Sequence, residues 1–135
     1  MPMKPGDIED MIKAGIPATV YVDSGADVGV LRVADDFASD LEKVSGVKPA
    51  VVHELTGVTG DVVVIGQLGH SALIDGWMKS ELIQTGAISG QWEAYSQAVV
   101  ARPEGGKALV IIGADKRGAI YGTYDISAKM GVSPW

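Results

Sequence analysis

The run DVVVIG at Asp61–Gly66 narrows the possible folds of this chain more than any other stretch. Four consecutive β-branched residues favour a strand, and the absence of polar side chains among them indicates burial on both faces. Such a strand lies in the interior of a sheet. The chain must therefore supply neighbouring strands and other elements that cover the sheet.

A helical pattern follows the first predicted strand, Ala18–Val22. Apolar residues recur at three- and four-residue steps: Val30, Val33, Ala34, Phe37, Leu41 and Val44. The other side carries Arg32, Asp35, Asp36, Asp40, Glu42 and Lys43. This pattern predicts an amphipathic helix that lies on the sheet, begins after the capping turn Asp23–Asp27 and ends at Gly46. Its charged residues form a solvated face, not a catalytic carboxylate pair.

Three further strands are predicted at Ala50–Leu55, Trp92–Arg102 and Lys107–Ile112, with helices through Leu73–Met78 and over 117–130. The resulting order is β-α-β-β-α-β-β-α. The two β-β neighbours predict antiparallel pairs. We therefore expect an α+β fold, an α/β sandwich whose mixed sheet of about five strands has helices mainly on one face. Residues 1–16 are predicted to form a flexible arm before a single domain at 17–135.

Charge and composition exclude several classes of function. The 135 residues carry a net charge of −6, which argues against binding to nucleic-acid phosphates and to an anionic membrane surface. Without cysteine, the chain has no thiolate nucleophile and no cysteine-based metal site. No apolar run is long enough to span a bilayer, and the first residues show no secretory signal.

The loop Gly66–Ser71 joins a buried strand to a helix, where backbone N–H groups can hold a phosphate. It lacks a P-loop sequence, and a turn in which His70 or Ser71 caps the helix explains it equally well. His53 and His70 are too far apart in sequence for a helical metal pair, so no metal site is predicted.

The aromatic residues allow two interpretations. Trp77 lies on an apolar helical stripe and is predicted to be core. Trp92 and Tyr95 begin a predicted strand, where they either flank a sugar ring or serve in packing. No serine nucleophile with a suitably placed histidine is recognisable, so the residues define no complete active site.

The loop over 113–118 places Asp115, Lys116 and Arg117 between two glycines, after a buried strand and before a helix. Gly118 permits close approach of another backbone, and Arg117 is suited to pair with a carboxylate of a ligand or another domain. Alternatively, Asp115 caps the helix and the basic pair is solvated. The residues alone leave both interpretations open.

The segment GADKRGAIYGTYDISAKMGVSPW resembles the end of the N-terminal domain of glycoside hydrolase family 115, the xylan α-1,2-glucuronidases. In that family a GSDKRGTIYGIYDLSE-like segment precedes a GVSPWYWWADVP-like start of the catalytic barrel. Upstream, YVDS, VVVIG and GQWE agree in order, so the resemblance covers about residues 17–135. One departure is Ala114, where the family tends to have serine.

The resemblance implies an accessory domain like the one before the barrel in β-N-acetylhexosaminidases, again an α/β sandwich. The acid and base would lie in a barrel that begins after Trp135, so no catalytic residue, metal or cofactor is carried over. This fragment would not be an enzyme, while its parent would be a xylan α-glucuronidase. The residues carried over as ligand or interdomain contacts are Asp115, Lys116, Arg117, Gly118, Tyr121, Tyr124 and Trp135.

The resemblance also implies partners and a location. The expected partners are the catalytic barrel of the parent chain and a xylan-derived glucuronosyl oligosaccharide. The fragment alone is a candidate dimer, and the parent is expected to be secreted or periplasmic. The alternative is a stand-alone module that binds a small anion or a carbohydrate.

Overall fold

The computed structural model describes residues 19–46, 48–58, 60–79, 90–102 and 105–129. Within them the chain forms five strands and three helices in the predicted order. The strands are β1 (Thr19–Val22), β2 (Ala50–Val52), β3 (Val62–Gln67), β4 (Tyr95–Ala101) and β5 (Lys107–Gly113). The helices are α1 (Val28–Ser45), α2 (Ala72–Lys79) and α3 (Lys116–Lys129). The predicted arm at 1–16 and the residue Trp135 lie outside the described residues.

The strands form one mixed sheet in the order β2-β1-β3-β5-β4. β2, β1, β3 and β5 are parallel, and β4 pairs antiparallel with β5 along its whole length, from Tyr95 opposite Gly113 to Ala101 opposite Lys107. The aliphatic run in β3 lies in the centre of the sheet, as predicted, and its residues Val62–Ile65 are buried. The predicted fold class, an α+β fold with a mixed five-stranded sheet, is therefore confirmed.

One of the two predicted antiparallel pairs is wrong. β2 does not pair with β3 but lies parallel to β1 at the edge of the sheet, with Thr19 opposite Ala50. The chain between β2 and β3 therefore returns across the sheet before β3 begins. Leu55 and Val58 pack on the core during this return, so the segment covers the sheet face instead of forming a hairpin.

The two long helices cover one face of the sheet. Phe37 and Leu41 of α1 and Ile126 of α3 pack with Ile65 and Ile111 of the sheet, and all five are almost fully buried. Burial of one such side chain contributes about 1.5–3 kcal/mol. This cluster accounts for the helical periodicity of α1.

The second face is covered by the short helix α2 and by the return segment after β2. Ile74 and Trp77 of α2 pack on Val64 and Ile112, so Trp77 is core, as predicted. Arg102 is also buried, and its guanidinium donates to the carbonyl oxygens of Val58 and Gly60. The return segment is thus fixed to the end of β4.

The ends of α1 agree with the prediction. The Asp27 carboxylate accepts a hydrogen bond from the Gly29 N–H at 2.9 Å, which caps the first turn. Gly46 ends the helix in the left-handed conformation, and its N–H donates to the Glu42 carbonyl. Such a φ is easily adopted by glycine because it has no Cβ.

Asp40 is a correction to the predicted solvated face of α1. Its carboxylate is buried between α1 and α3, where it accepts a hydrogen bond from the Ser127 hydroxyl at 2.8 Å. Lys43 also lies 3.8 Å from it. Arg32, Asp35, Asp36, Glu42 and Lys43 are exposed, as predicted.

Candidate functional site

The loop between β5 and α3 is built around the Asp115 side chain. One carboxylate oxygen accepts from the Gly118 N–H at 2.8 Å, and the Asp115 carbonyl accepts from Ala119 at 3.1 Å, which starts the helix. Asp115 is therefore the cap of α3, as one of the two open interpretations predicted.

The other Asp115 oxygen leaves the loop and accepts the backbone N–H of Glu93 at 2.9 Å. A second bond, from the Ala114 N–H to the Ala94 carbonyl at 2.8 Å, lies beside it. The loop before β4 is therefore attached to the start of α3 at two points. The N–H groups of Glu93 and Gly118, with help from the Arg117 charge, hold the pKa of Asp115 below its usual value.

Gly118 makes this attachment possible. A Cβ on Gly118 would collide with the Ala94 carbonyl, so only glycine allows the helix to approach the loop this closely. The sequence predicted that Gly118 would permit the approach of another backbone. The structure identifies that backbone as a segment of the same domain.

Both basic residues of the loop are paired within the domain. The Arg117 guanidinium bonds the Glu93 carboxylate at 3.0 Å, and this partner raises the pKa of Arg117. Lys116 lies 3.9 Å from Asp27, the cap of α1, so the two long helices are joined at their amino ends. These exposed pairs contribute little to stability.

Sequence reasoning did not identify Glu93 as a partner of the residues in this loop. It has a positive φ of 59°, which is uncommon for a residue other than glycine. Its backbone and side chain both face the start of α3, bonding Asp115 and Arg117. The only signal in the sequence was its place in the GQWE segment upstream of β4.

Exposed aromatic side chains surround this loop. Trp92 is 79% exposed in the turn before β4, so it does not begin the strand as predicted. Tyr95 does begin β4; its ring lies against Gly122 of α3 and is 37% exposed. Tyr121 is 46% exposed, and Tyr124 is half-buried on the same helix.

The predicted site residues are therefore only partly brought together. Asp115, Lys116, Arg117 and Gly118 share the amino end of α3, with Tyr121 one turn further along. Lys129 ends the helix about 20 Å away, at a rise of ~1.5 Å per residue. The segment GVSPW, with Trp135, lies outside the described residues.

In the loop Gly66–Ser71, a carboxylate of the same domain lies where a phosphate would bind. The Ser71 hydroxyl accepts from the Ile74 N–H at 3.3 Å, so Ser71 caps α2 as one interpretation predicted. The Asp23 carboxylate lies 3.4 Å from the Ala72 N–H. A carboxylate at this helix start leaves little favourable potential for a phosphate.

The described part of the chain holds neither a metal centre nor a membrane span. His53 and His70 are both exposed, and no group of three or more His, Asp or Glu side chains there is placed to hold a metal ion. None of the helices in the described ranges is long and apolar enough to cross a membrane.

No family model and no curated protein matches the sequence. Among solved structures, BtGH115A, a family GH115 4-O-methyl-α-glucuronidase with specificity for decorated arabinogalactans, is similar with a TM-score of 0.70 and 27% identity. The match covers 88% of this chain but only 14% of that one. CpGH84D has a TM-score of 0.59 and 15% identity, over 83% of this chain and 17% of its own. This second likeness shows the fold alone.

The chain thus spans a small part of the length of each of these two proteins. The likeness in three dimensions agrees with the GADKRGAIYGTYDISAK segment, whose sequence resembles the same family. The resemblance of this chain to a domain of the family GH115 glucuronidases is therefore confirmed.

Proposed function

We propose that this chain is a non-catalytic accessory domain of a GH115 α-glucuronidase, which supports and shapes a neighbouring catalytic barrel. The observation that carries the proposal is the likeness to BtGH115A, which takes in nearly all of this chain and about one seventh of that enzyme. A part of this size corresponds to one domain of a large protein.

The chemistry of the loop over 113–118 supports a structural role. A glycosidase acid needs a carboxyl group whose pKa is raised, so that it holds a proton near neutral pH. The pKa of Asp115 is instead lowered by two backbone N–H groups. Arg117 and Lys116 are each paired with a carboxylate of the same domain. The loop therefore resembles a fixed connection more than a reacting site.

The outer side of α3 is the surface we propose for contact with the barrel. Arg117, Tyr121 and Tyr124 recur at helical spacing along it, and Ala128 continues the stripe to the last turn. Trp92 and Tyr95 extend the same aromatic surface beside the amino end of the helix. Exposed aromatic groups with an arginine are typical of protein interfaces.

The substrate of the parent enzyme is proposed as a polysaccharide decorated with 4-O-methylglucuronic acid. Sequence resemblance suggests xylan as the backbone, whereas BtGH115A has specificity for decorated arabinogalactans. Both backbones therefore belong in the assay. Because such polymers are too large to enter a cell intact, we also propose that the parent is secreted or periplasmic.

Activity assays test the non-catalytic assignment. We expect this chain alone to release no 4-O-methylglucuronic acid from glucuronoxylan or from decorated arabinogalactan. Release from either polymer would disprove the non-catalytic assignment.

The coding sequence beyond codon 135 tests the proposed parent enzyme. We expect it to continue into a YWWADVP-like segment and a barrel, and a stop codon there would contradict the existence of a parent enzyme.

Paired variants test the docking surface. In the full parent chain, Arg117→Ser with Tyr121→Ser should lower the melting temperature and the activity, while the isolated domain keeps its own stability. Asp36→Ser, on the exposed side of α1, is the matched control. Equal effects of the double variant and the control would exclude this surface as the contact.

The alternative, a stand-alone module for small anions, has less support. Its two candidate loops already hold their own carboxylates, Asp23 beside α2 and Glu93 beside Arg117. Calorimetry with glucuronate and nucleotides distinguishes the two functions. Binding that is lost in Arg117→Ala would favour the module over the accessory domain.

A further inference from the structure

A cavity of about 270 Å³ lies at the carboxyl ends of β1 and β2, beneath the first half of α1. It is lined by Val22, Ser24, Leu31, Asp35, Val51 and His53. In open α/β sheets, ligands bind outside the carboxyl ends of parallel strands. This cavity is separate from the start of α3 and has no role in the function proposed above.

The strand order would place a ligand crevice between β1 and β3, where the order of the strands reverses. At that point the Asp23 carboxylate is bonded to groups of its own domain. It accepts hydrogen bonds from the Tyr21 hydroxyl at 3.3 Å, from the Gly25 N–H at 2.8 Å and from the Ala72 N–H at 3.4 Å. The cavity lies one strand further along the sheet, at β1 and β2.

The polar lining of the cavity has a defined hydrogen-bonding character. The His53 Nδ1 bonds the Val22 carbonyl at 2.9 Å, and because a carbonyl only accepts, Nδ1 carries the hydrogen. In the neutral ring Nε2 is then an acceptor. The Asp35 carboxylate is a second acceptor, and the Ser24 hydroxyl both donates and accepts. A ligand must therefore supply several donors.

The rest of the lining is aliphatic. Leu31 and Val51 are partly exposed and pack against the main core, so they form a rigid apolar floor, whereas Val22 is fully buried. At 270 Å³ the cavity is smaller than the roughly 300–1,000 Å³ of sites for drug-sized ligands. The ligand is thus about the size of one ring, with an apolar side and hydroxyl groups at its edge.

We propose that this cavity binds one neutral pyranose ring. The C–H face of the sugar lies on Leu31 and Val51, and its hydroxyl groups donate to the Asp35 carboxylate and to Nε2 of His53. A uronate is disfavoured because its carboxylate would face Asp35. A small ammonium ion would satisfy Asp35 but would leave the apolar floor without a partner.

The ligand test is titration of the isotope-labelled chain with galactose, xylose, glucuronate and ethylammonium, followed by amide chemical shifts. We expect galactose or xylose to shift residues 22–24, 31–35 and 51–53, with affinity on the order of millimolar. Glucuronate and ethylammonium should bind at least several-fold more weakly. Tighter binding of either charged ligand, or no shifts with any sugar at about 50 mM, would overturn the proposal.

Two matched variants locate the binding. Asp35→Ala and Asp36→Ala each remove one exposed carboxylate from the same helix, but only Asp35 lines the cavity. Asp35→Ala should weaken sugar binding about tenfold, as loss of a charged acceptor predicts, while Asp36→Ala leaves it unchanged. Equal affinities of the two variants would place the sugar elsewhere. Since the measurement is binding to this chain, its outcome does not depend on the activity of a parent enzyme.

Discussion

The Glu93 N–H donates a hydrogen bond to the Asp115 carboxylate at 2.9 Å, which joins the turn before β4 to the cap of α3. The Asp115 side chain thus makes two connections, because its second carboxylate oxygen accepts a hydrogen bond from the Gly118 N–H at 2.8 Å. The exposed side chains of Trp92 and Tyr95 lie on either side of Glu93 in the chain. We therefore expect substitutions at this connection and substitutions in the core to change the free energy of unfolding in different ways.

Replacement of Asp115 by alanine should destabilise the domain. Loss of the helix cap costs about 1 kcal/mol, and loss of the Glu93 bond adds about 0.5–1.5 kcal/mol. Urea unfolding followed by circular dichroism measures the difference. Asp36→Ala, with no role at a helix end, should stay within about 0.5 kcal/mol of the wild type. Equal free energies of unfolding for both variants would contradict the capping role.

The stabilisation from Asp115 should depend on pH. Because the folded-state pKa is lowered, its contribution is fully present above the unfolded pKa of about 3.9 and is lost as pH falls through the folded pKa. The gap in unfolding free energy between wild type and Asp115→Ala should therefore be constant from neutral pH to about pH 5 and narrow below about pH 4. A gap that stays constant down to pH 2.5 or so would show that the charge of Asp115 is not involved.

Two glycine-to-alanine changes should have opposite effects. At Gly118 the new methyl group collides with the Ala94 carbonyl, so we expect a loss of about 1–3 kcal/mol. At Gly76 of α2 nothing lies within 4 Å of an added Cβ, and alanine should stabilise the helix by up to about 1 kcal/mol. Thermal unfolding of both variants measures this pair. A Gly118→Ala protein as stable as wild type would mean that α3 and the turn do not touch.

The buried hydrogen bond between Asp40 and Ser127 should contribute more to the free energy of unfolding than the exposed interactions near it. Ser127→Ala leaves the Asp40 carboxylate without its 2.8 Å donor, which should cost about 1–3 kcal/mol. Ser39→Ala on the same helix as Asp40 is the control and should be nearly neutral. In the double variant with Asp40→Ala, the loss should be smaller than the sum of the single losses. Strict additivity would show that the two side chains do not interact.

Sequence patterns predicted the elements well where a single periodicity was present. The three-to-four-residue repeat of α1 and the aliphatic run of β3 each identify their element because each needs a continuous apolar surface. Asp40 shows where this reasoning fails. It belongs to the charged side of α1 by spacing, yet α3 packs over it and supplies Ser127 as a partner.

The pairing of β2 was predicted wrongly for a related reason. Nearness in sequence favours a hairpin, but nothing in Ala50–Val52 says which neighbour the strand will choose. The choice depends on Leu55 and Val58, whose burial on the second face draws the following segment across the sheet. The partner of Arg117 was equally hidden, because Glu93 lies 24 positions away along the chain.

The sequence by itself determined the order of the elements, the central strand, the capping turn that ends at Asp27 and the likeness to family GH115, since each depends on residues close together in the chain. Only the tertiary structure decided which strands are neighbours, that the Asp115 loop is bonded to its own domain and that a cavity opens between Asp35 and His53. Those features join residues distant in sequence. Their contacts follow from how the helices and the return segment cover the two faces of the sheet.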